Sequence, residues 1–227
     1  MLRRPRAARA SPLDTGLDVK TITAASPSDL DAAVACLAAA FARDPITGFL
    51  LHSGAAYRER VTQFFSLLMR ARIALEMPVI VAPGTAGIDG AAMGYATSRP
   101  AWPKRLAEEW DRFEMAVPGL TDRMAIYDEI ADKGKPAAPH YYLGVIGVDP
   151  DQQGRGIGAQ LLRSFCDLSA RDARSCGVYL ETAQESNLRF YQRAGFVETA
   201  RGRLGGATLW CLYHPHVDAI TGRVRAG

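Results

Sequence analysis

The stretch His140-Tyr141-Tyr142-Leu143-Gly144-Val145-Ile146-Gly147-Val148-Asp149-Pro150-Asp151-Gln152-Gln153-Gly154-Arg155-Gly156-Ile157-Gly158-Ala159 decides the fold. Residues 141–148 are β-branched, aromatic, leucine or glycine and carry no charge, which predicts a strand buried on both faces. Asp149-Pro150 ends it, because proline has no N–H to give to a ladder and presets a turn. Gly154, Gly156 and Gly158 then bring bare backbone amides to the start of a helix predicted to run to about Ala173, with Ile157, Leu161, Leu162, Phe165 and Leu168 on its apolar stripe. Unpaired N–H groups and the positive end of the helix dipole favour an anion there. A phosphate or pyrophosphate is the natural guest.

Three anion-site readings compete. A P-loop needs Gly-Lys-Ser or Gly-Lys-Thr at its close, and neither occurs in the chain. A dinucleotide-binding loop fits the letters better: Gly154, Gly156 and Ala159 stand at the relaxed spacing, and Glu181 ends the next strand about where a ribose-binding acid belongs. Its first glycine should follow the strand almost directly, whereas Asp149-Pro150-Asp151-Gln152-Gln153 intervenes. In the third reading the stretch resembles motif A of the GCN5-related N-acetyltransferase (GNAT) superfamily, whose pattern Gln/Arg-x-x-Gly-x-Gly/Ala is met by Gln153-Gly154-Arg155-Gly156-Ile157-Gly158 after Val148-Asp149-Pro150. Asn187-Leu188-Arg189-Phe190-Tyr191-Gln192-Arg193-Ala194-Gly195-Phe196 resembles the family's motif B, and two matches in the right order are more specific than either alone. The resemblance covers about 141–197.

It implies an α/β GNAT fold: a central mixed, mostly antiparallel sheet splayed at strand 4, helices on both faces, and here a helical insertion between strands 3 and 4. The expected domain runs over 15–214, with the insertion at 99–139. A disordered tail is expected at 1–14 and a loose C-terminal tail at 215–227. A weaker likeness to small-molecule enzymes of the puromycin N-acetyltransferase kind rests on the insertion and on His140-Tyr141-Tyr142-Leu143.

Composition agrees with one enzyme-sized domain. The chain has 227 residues, 48% of them hydrophobic and 22% charged, enough to bury a real core. A net charge of +3, partly in Arg3, Arg4, Arg6 and Arg9, gives a nucleic-acid partner no support. Cys36, Cys166, Cys176 and Cys211 lack metal-site or redox spacing, so free thiols, a cytoplasmic location and no metal are expected. No stretch is long and apolar enough to anchor the chain in a bilayer, so no membrane partner is expected. A homodimer stays open.

Outside the motifs, residues 18–24 read as the first strand, Leu30, Val34, Leu37 and Phe41 as the stripe of a helix ended by Asp44-Pro45, and 50–54 as a loop. A second helix follows over 57–76. Strands at 78–82 and 91–98 read as a hairpin. In the insertion, a charged helix opens at Trp102-Pro103 and runs through Glu114, Pro118-Gly119 breaks it, and a further helix covers 120–133. Trp102, Trp110, Phe113 and Tyr127 either seat these helices on the sheet or line an acceptor site. Phe41, Phe49 and Phe65 are further candidates to touch substrate. Strands at 178–182, 196–201 and 207–213 complete the sheet.

The family's chemistry, carried over by resemblance, is acetyl transfer from acetyl-CoA to a primary amine, most simply of a small-molecule acceptor, by direct attack in a ternary complex. Backbone at Ile146, Gly147 and Val148 would bind the pantetheine arm beside a strand bulge expected at Gly147, with the Val148 N–H polarising the thioester carbonyl. Gln153, Gly154, Arg155, Gly156, Ile157, Gly158 and Ala159 would hold the pyrophosphate, Arg155 as helper or bystander. Asn187 would bind the CoA arm, cap its helix, or both. Tyr191 resembles the tyrosine that returns a proton to the departing thiolate. Glu181 ranks first as base and His140 second, although an alkylamine supplies some neutral form unaided. A non-catalytic acyl-CoA sensor and a protein N-acetyltransferase remain as alternatives.

Overall fold

The computed structural model describes residues 21–217 and 224–225; the expected tail at 1–14 and most of the C-terminal tail lie outside them. Strands β1 (Thr23–Ala24), β2 (Val79–Pro83), β3 (Ile88–Tyr95), β4 (Tyr141–Val148), β5 (Gly177–Thr182), β6 (Val197–Leu204) and β7 (Ala207–Pro215) form one sheet in the order β1-β2-β3-β4-β5-β7-β6. Neighbours are antiparallel except β4 and β5, which run parallel. The crossover between those two contains α6 (Ile157–Arg171), as a parallel pair requires.

The period of two in the strands makes two cores. On β2, Val79 and Val81 pack with Val34 and Leu37 of α1 (Leu30–Ala40) and with Phe64 and Phe65 of α3 (Tyr57–Ala74), whereas Ile80 and Ala82 pack with Leu161 and Phe165 of α6. The same alternation breaks once, in β4. Met93 pairs with Val145 but Gly94 pairs with Leu143, so Gly144 is the extra residue of a β-bulge. Tyr141 and Leu143 therefore face the α6 core, and Val145, at what would have been the same parity, faces the α1 core.

Two expectations for β4 are corrected. The bulge sits at Gly144, not Gly147, which pairs in register with Ala91. A Cβ at Gly147 would stand 2.9 Å from Leu37 Cδ2, 3.0 Å from Ala40 Cβ and 3.1 Å from Phe41 Cε2, so glycine there serves the close approach of α1. Burial on both faces holds only at alternate residues; Tyr142, Gly144, Ile146 and Val148 are half-buried.

A helix stands where a loop was expected. Asp44 accepts the Thr47 N–H at 2.8 Å and Pro45 occupies the first turn, so Asp44-Pro45 ends α1's run and also starts α2 (Pro45–Leu51). Both expected insertion helices form, as α4 (Lys104–Ala116) and α5 (Leu120–Gly134). Helix α5 lies tightly on β6 and β7: a Cβ at Gly134 would meet that of Cys211 at 2.3 Å, and Thr199 donates its hydroxyl to the Gly134 carbonyl at 2.7 Å. The short helix α7 (Glu185–Arg193) follows β5.

The described part of the C-terminal tail is docked rather than loose. His216 N–H donates to the Cys176 carbonyl at 2.8 Å, and Val217 bridges Val224. Cys36, Cys176 and Cys211 are buried and Cys166 half-buried, all as thiols. Among the described residues no single helix is long and apolar enough to cross a membrane, and no three His, Cys, Asp or Glu side chains gather to hold a metal ion.

Candidate active site

The site begins where β4 and β5 part. They pair only at Tyr141 with Val178 and Tyr142 with Tyr179, so beyond Tyr142 the β4 backbone has a strand neighbour on the β3 side alone. Asp149 N–H donates to the Asp89 carbonyl at 2.9 Å, which makes that pair a hydrogen-bonded one. Antiparallel alternation then turns the amides of Val148 and Ile146 away from β3 and into the splay, while the Gly147 amide faces β3. The Val148 carbonyl, pointing the same way as its amide, accepts from Gln153 Nε2 at 3.2 Å.

The glycine-rich turn extends this edge. Gly154 and Gly156 have φ of 78° and 81°, a region costly for residues with a Cβ. Gly156 caps α6, and the first helical bond runs from Gln160 N–H to the Gly156 carbonyl at 3.1 Å. Among the described residues no main-chain carbonyl takes an amide of 153–159. Open amides at a helix start form an anion cradle. A cleft of about 480 Å³ runs from Ile146, Gly147 and Val148 past Gln153, Gly154, Gly156, Ile157, Gly158 and Ala159 to Asn187 and Tyr191. Arg155 is exposed and stands outside this lining.

Helix α7 forms the opposite wall. Its N-cap is Gln184, so Asn187 lies inside the first turn and does not cap the helix. Asn187 and Tyr191, one turn apart, line both the cleft and a second cavity of about 280 Å³ on the α1 side of the sheet. Tyr191 is 5% exposed, and among the described residues its hydroxyl has no hydrogen-bond partner. Burial, with the nearby Asp44 charge adding to it, pushes its pKa well up, so it stays a proton donor.

The second cavity holds Glu181. Its carboxylate is enclosed by protein but reachable from the cavity, and accepts the Tyr127 hydroxyl at 3.0 Å. Burial raises its pKa to about 7, against the opposing hydrogen bonds of Tyr127, Tyr142 and Tyr179. Phe41 and Phe65 line this cavity too, while Phe49 packs against Gly205. His140 lies outside both cavities: its Nδ1 pairs with the Ala138 carbonyl at 2.7 Å, and burial lowers its pKa.

Several lining residues had no motif to announce them. Asp44, Arg72, Tyr95, Arg99 and Asp128 come from a helix cap, a helix end, a strand end and the insertion, and only the fold gathers them. Trp102, Trp110 and Tyr127 line the cavity while also packing on its core, so both readings of the insertion aromatics hold at once. Phe113 is buried in the core alone.

The profile of the acetyltransferase (GNAT) domain family matches residues 123–198. The N-alpha-acetyltransferase RimI of Mycobacterium tuberculosis is 37% identical over 98 residues, 42% of this chain and 58% of that protein. A mycothiol acetyltransferase of Propionibacterium freudenreichii is 38% identical over 76 residues, 31% of this chain and 22% of that protein. The match thus spans no more than 58% of the length of these relatives. Among solved structures, a histone acetyltransferase HPA2 and related acetyltransferase from Corynebacterium glutamicum superposes with TM-score 0.66 at 21% identity, covering 88% of this chain and 99% of that one. Arylalkylamine N-acetyltransferase 2 of Aedes aegypti gives 0.61 at 12% identity, covering 87% and 99%. These structural likenesses speak to the fold. The matched stretch 123–198 contains both motifs, so the likeness to the GNAT acetyltransferase domain rests on that part of the chain.

Proposed function

We propose that this protein is an N-acetyltransferase that moves the acetyl group of acetyl-CoA to a primary amine of a small acceptor within a ternary complex. One observation carries the reading: open amides on a splayed strand and at a helix mouth meet, at Tyr191 and Asn187, a separate cavity containing a carboxylate of raised pKa. The cleft suits CoA because it offers amide donors both to an extended polar arm and to a diphosphate. The cosubstrate supplies an activated thioester. Catalytic domain and insertion are read as one unit over 15–214.

The Val148 N–H, turned into the splay, is the donor placed to polarise the thioester carbonyl; a preorganised donor of this kind is worth roughly 2.7–4 kcal/mol. Glu181, ionised above about pH 7, takes the ammonium proton directly or through a water, which leaves the amine lone pair free to attack. Tyr191 gives its hydroxyl proton to the leaving thiolate and regains one, through solvent, from the nitrogen that becomes cationic on attack. Asn187 borders both partners' spaces.

Small acceptors are favoured over protein termini because α4 and α5 of the insertion help wall a cavity of only about 280 Å³, at the low end for ligand sites. The test is thiol release from acetyl-CoA over a panel of amines and peptides. Binding of acetyl-CoA with no acetylation of any amine would leave a sensor, and absence of acetyl-CoA binding would sink both readings.

A further inference from the structure

Arg72 sits near the end of α3, on a face that is otherwise apolar, and is 4% exposed. Its Nη1 donates to the Leu68 carbonyl at 3.0 Å and its guanidinium stacks over the Tyr95 ring at 4.6 Å, but its Nε has no partner. Among the described residues it makes no ion pair with any carboxylate. A buried guanidinium without an acid is costly, because its lost hydration is not replaced. Burial and the neighbouring Arg99 accordingly press its pKa down.

Arg99 repeats the arrangement at the mouth. It is exposed, stacks over Tyr142 at 4.4 Å and Tyr95 at 5.5 Å, and likewise makes no ion pair among the described residues. Two cations share one aromatic wall on the cavity, and their mutual repulsion is relieved when an anion lies between them. The cavity's acids, Asp44, Asp128 and Glu181, form no ion pair with either arginine among the described residues, although the Arg99 charge is near enough to favour the ionised forms of Asp128 and Glu181. Glu181 is reached through Tyr127, whose hydroxyl meets that of Tyr142 at 3.3 Å, and Asp128 lies on α5. The chamber therefore combines two unpaired cations, a neighbouring carboxylate at Glu181 and an apolar lining from Phe64, Phe65, Trp102 and Trp110.

We infer that the acceptor is an amino acid: Arg72 and Arg99 bind its carboxylate while its amine faces Glu181 and its apolar side chain fills the aromatic lining. This rests on the N-acetyltransferase reading for its chemistry but not for its binding. Planar guanidinium forks match a carboxylate through paired N–H donors, which neither an amide nor a hydrocarbon replaces. A protein N-terminus, whose first residue ends in an amide, lacks the recognised group.

The test separates binding from turnover. Matched pairs that differ only in the carboxylate (phenylalanine and phenethylamine, tryptophan and tryptamine, leucine and isopentylamine), with phenylalaninamide beside them, are titrated in the presence of CoA. The readout is calorimetric heat or, for the non-indole ligands, fluorescence of Trp102 and Trp110. In at least one pair the carboxylate member should bind about tenfold or more tighter than its amine or amide. Arg99→Gln and Arg72→Lys should each bring that ratio to within about threefold. Arg99 is exposed, so its variant remains informative if Arg72→Lys fails to fold. Equal binding within every pair, no binding at all, or a ratio that both folded variants preserve overturns the inference. Thiol release on the same panel is scored separately: its failure with every amine, alongside carboxylate-selective binding, removes the transferase reading and leaves the anion site standing.

Discussion

Tyr127 donates its hydroxyl to Glu181 Oε2 across 3.0 Å, joining the insertion to the central sheet between residues 54 positions apart. The bond favours the ionised carboxylate and burial opposes it; burial wins, leaving Glu181 half-ionised near pH 7. An insertion that looks peripheral in sequence thereby helps set the electrostatics of Glu181.

The pH dependence of turnover should report that balance. If Glu181 must be ionised to accept the ammonium proton, kcat/KM rises with pH through about 7. Glu181→Gln should lose this limb and fall about 10²-fold near pH 8. The deficit should shrink above about pH 10, where alkylamines are largely neutral. A variant that retains the wild-type limb would show that another group titrates.

The same carboxylate should cost stability. A folded-state pKa raised above the unfolded value gives a contribution present below the unfolded pKa and lost as pH rises through about 7. Glu181→Gln should therefore be more stable than the parent near pH 8, by roughly 1–3 kcal/mol, and hold little advantage near pH 4. Urea unfolding at the two pH values measures the difference, and a pH-independent gap would contradict the assigned burial cost.

Tyr191→Phe removes a hydroxyl that has no protein partner among the described residues, so the fold should tolerate it. Turnover should slow by about 10- to 100-fold while acetyl-CoA affinity changes little. Stopped-flow thiol release and calorimetry separate the two, and an unchanged kcat would take Tyr191 out of the mechanism.

Gly156→Ala forces a side chain into a left-handed position at the mouth of α6. It should cost about 1–2 kcal/mol of stability and weaken CoA by roughly tenfold, because the amides at 157–159 move with it. Calorimetric titration of CoA against the folded variant decides; parental affinity would mean the cradle does not depend on this turn.

Gly147→Ala should act through packing. The new methyl would stand 2.9–3.1 Å from Leu37, Ala40 and Phe41 and press α1 off the sheet, at about 1–3 kcal/mol. A melting temperature equal to the parent's would show that α1 yields without cost.

How far the sequence could be read depended on whether a residue's role is local. The run 141–148, the turn at Asp149-Pro150 and the helix after Gly156 follow from composition and nearest neighbours, and the strand and the helix start emerge at the expected residues. The α2 helix differs from the expected loop because an Asp-Pro pair, here Asp44-Pro45, can end one helix and start the next. Between two glycines in one strand, local pattern had no means of choosing the bulge. That choice was made by register against Gly94, where a Cβ would lie 1.9 Å from the Tyr142 carbonyl, and by α1 pressing on Gly147.

By itself the chain of residues determined a glycine-rich helix mouth after an apolar strand, and with it the family resemblance, since hydrophobic period, turn chemistry and left-handed glycines act over a few positions. Which groups meet across the second cavity was decided by the tertiary structure alone. Arg72, Arg99, Tyr127 and Glu181 lie on separate elements, and only the bulge at Gly144, the splay after Tyr142 and the docking of α5 bring them to one space. Charge and burial there depend on distances between parts of the chain that no local spacing encodes.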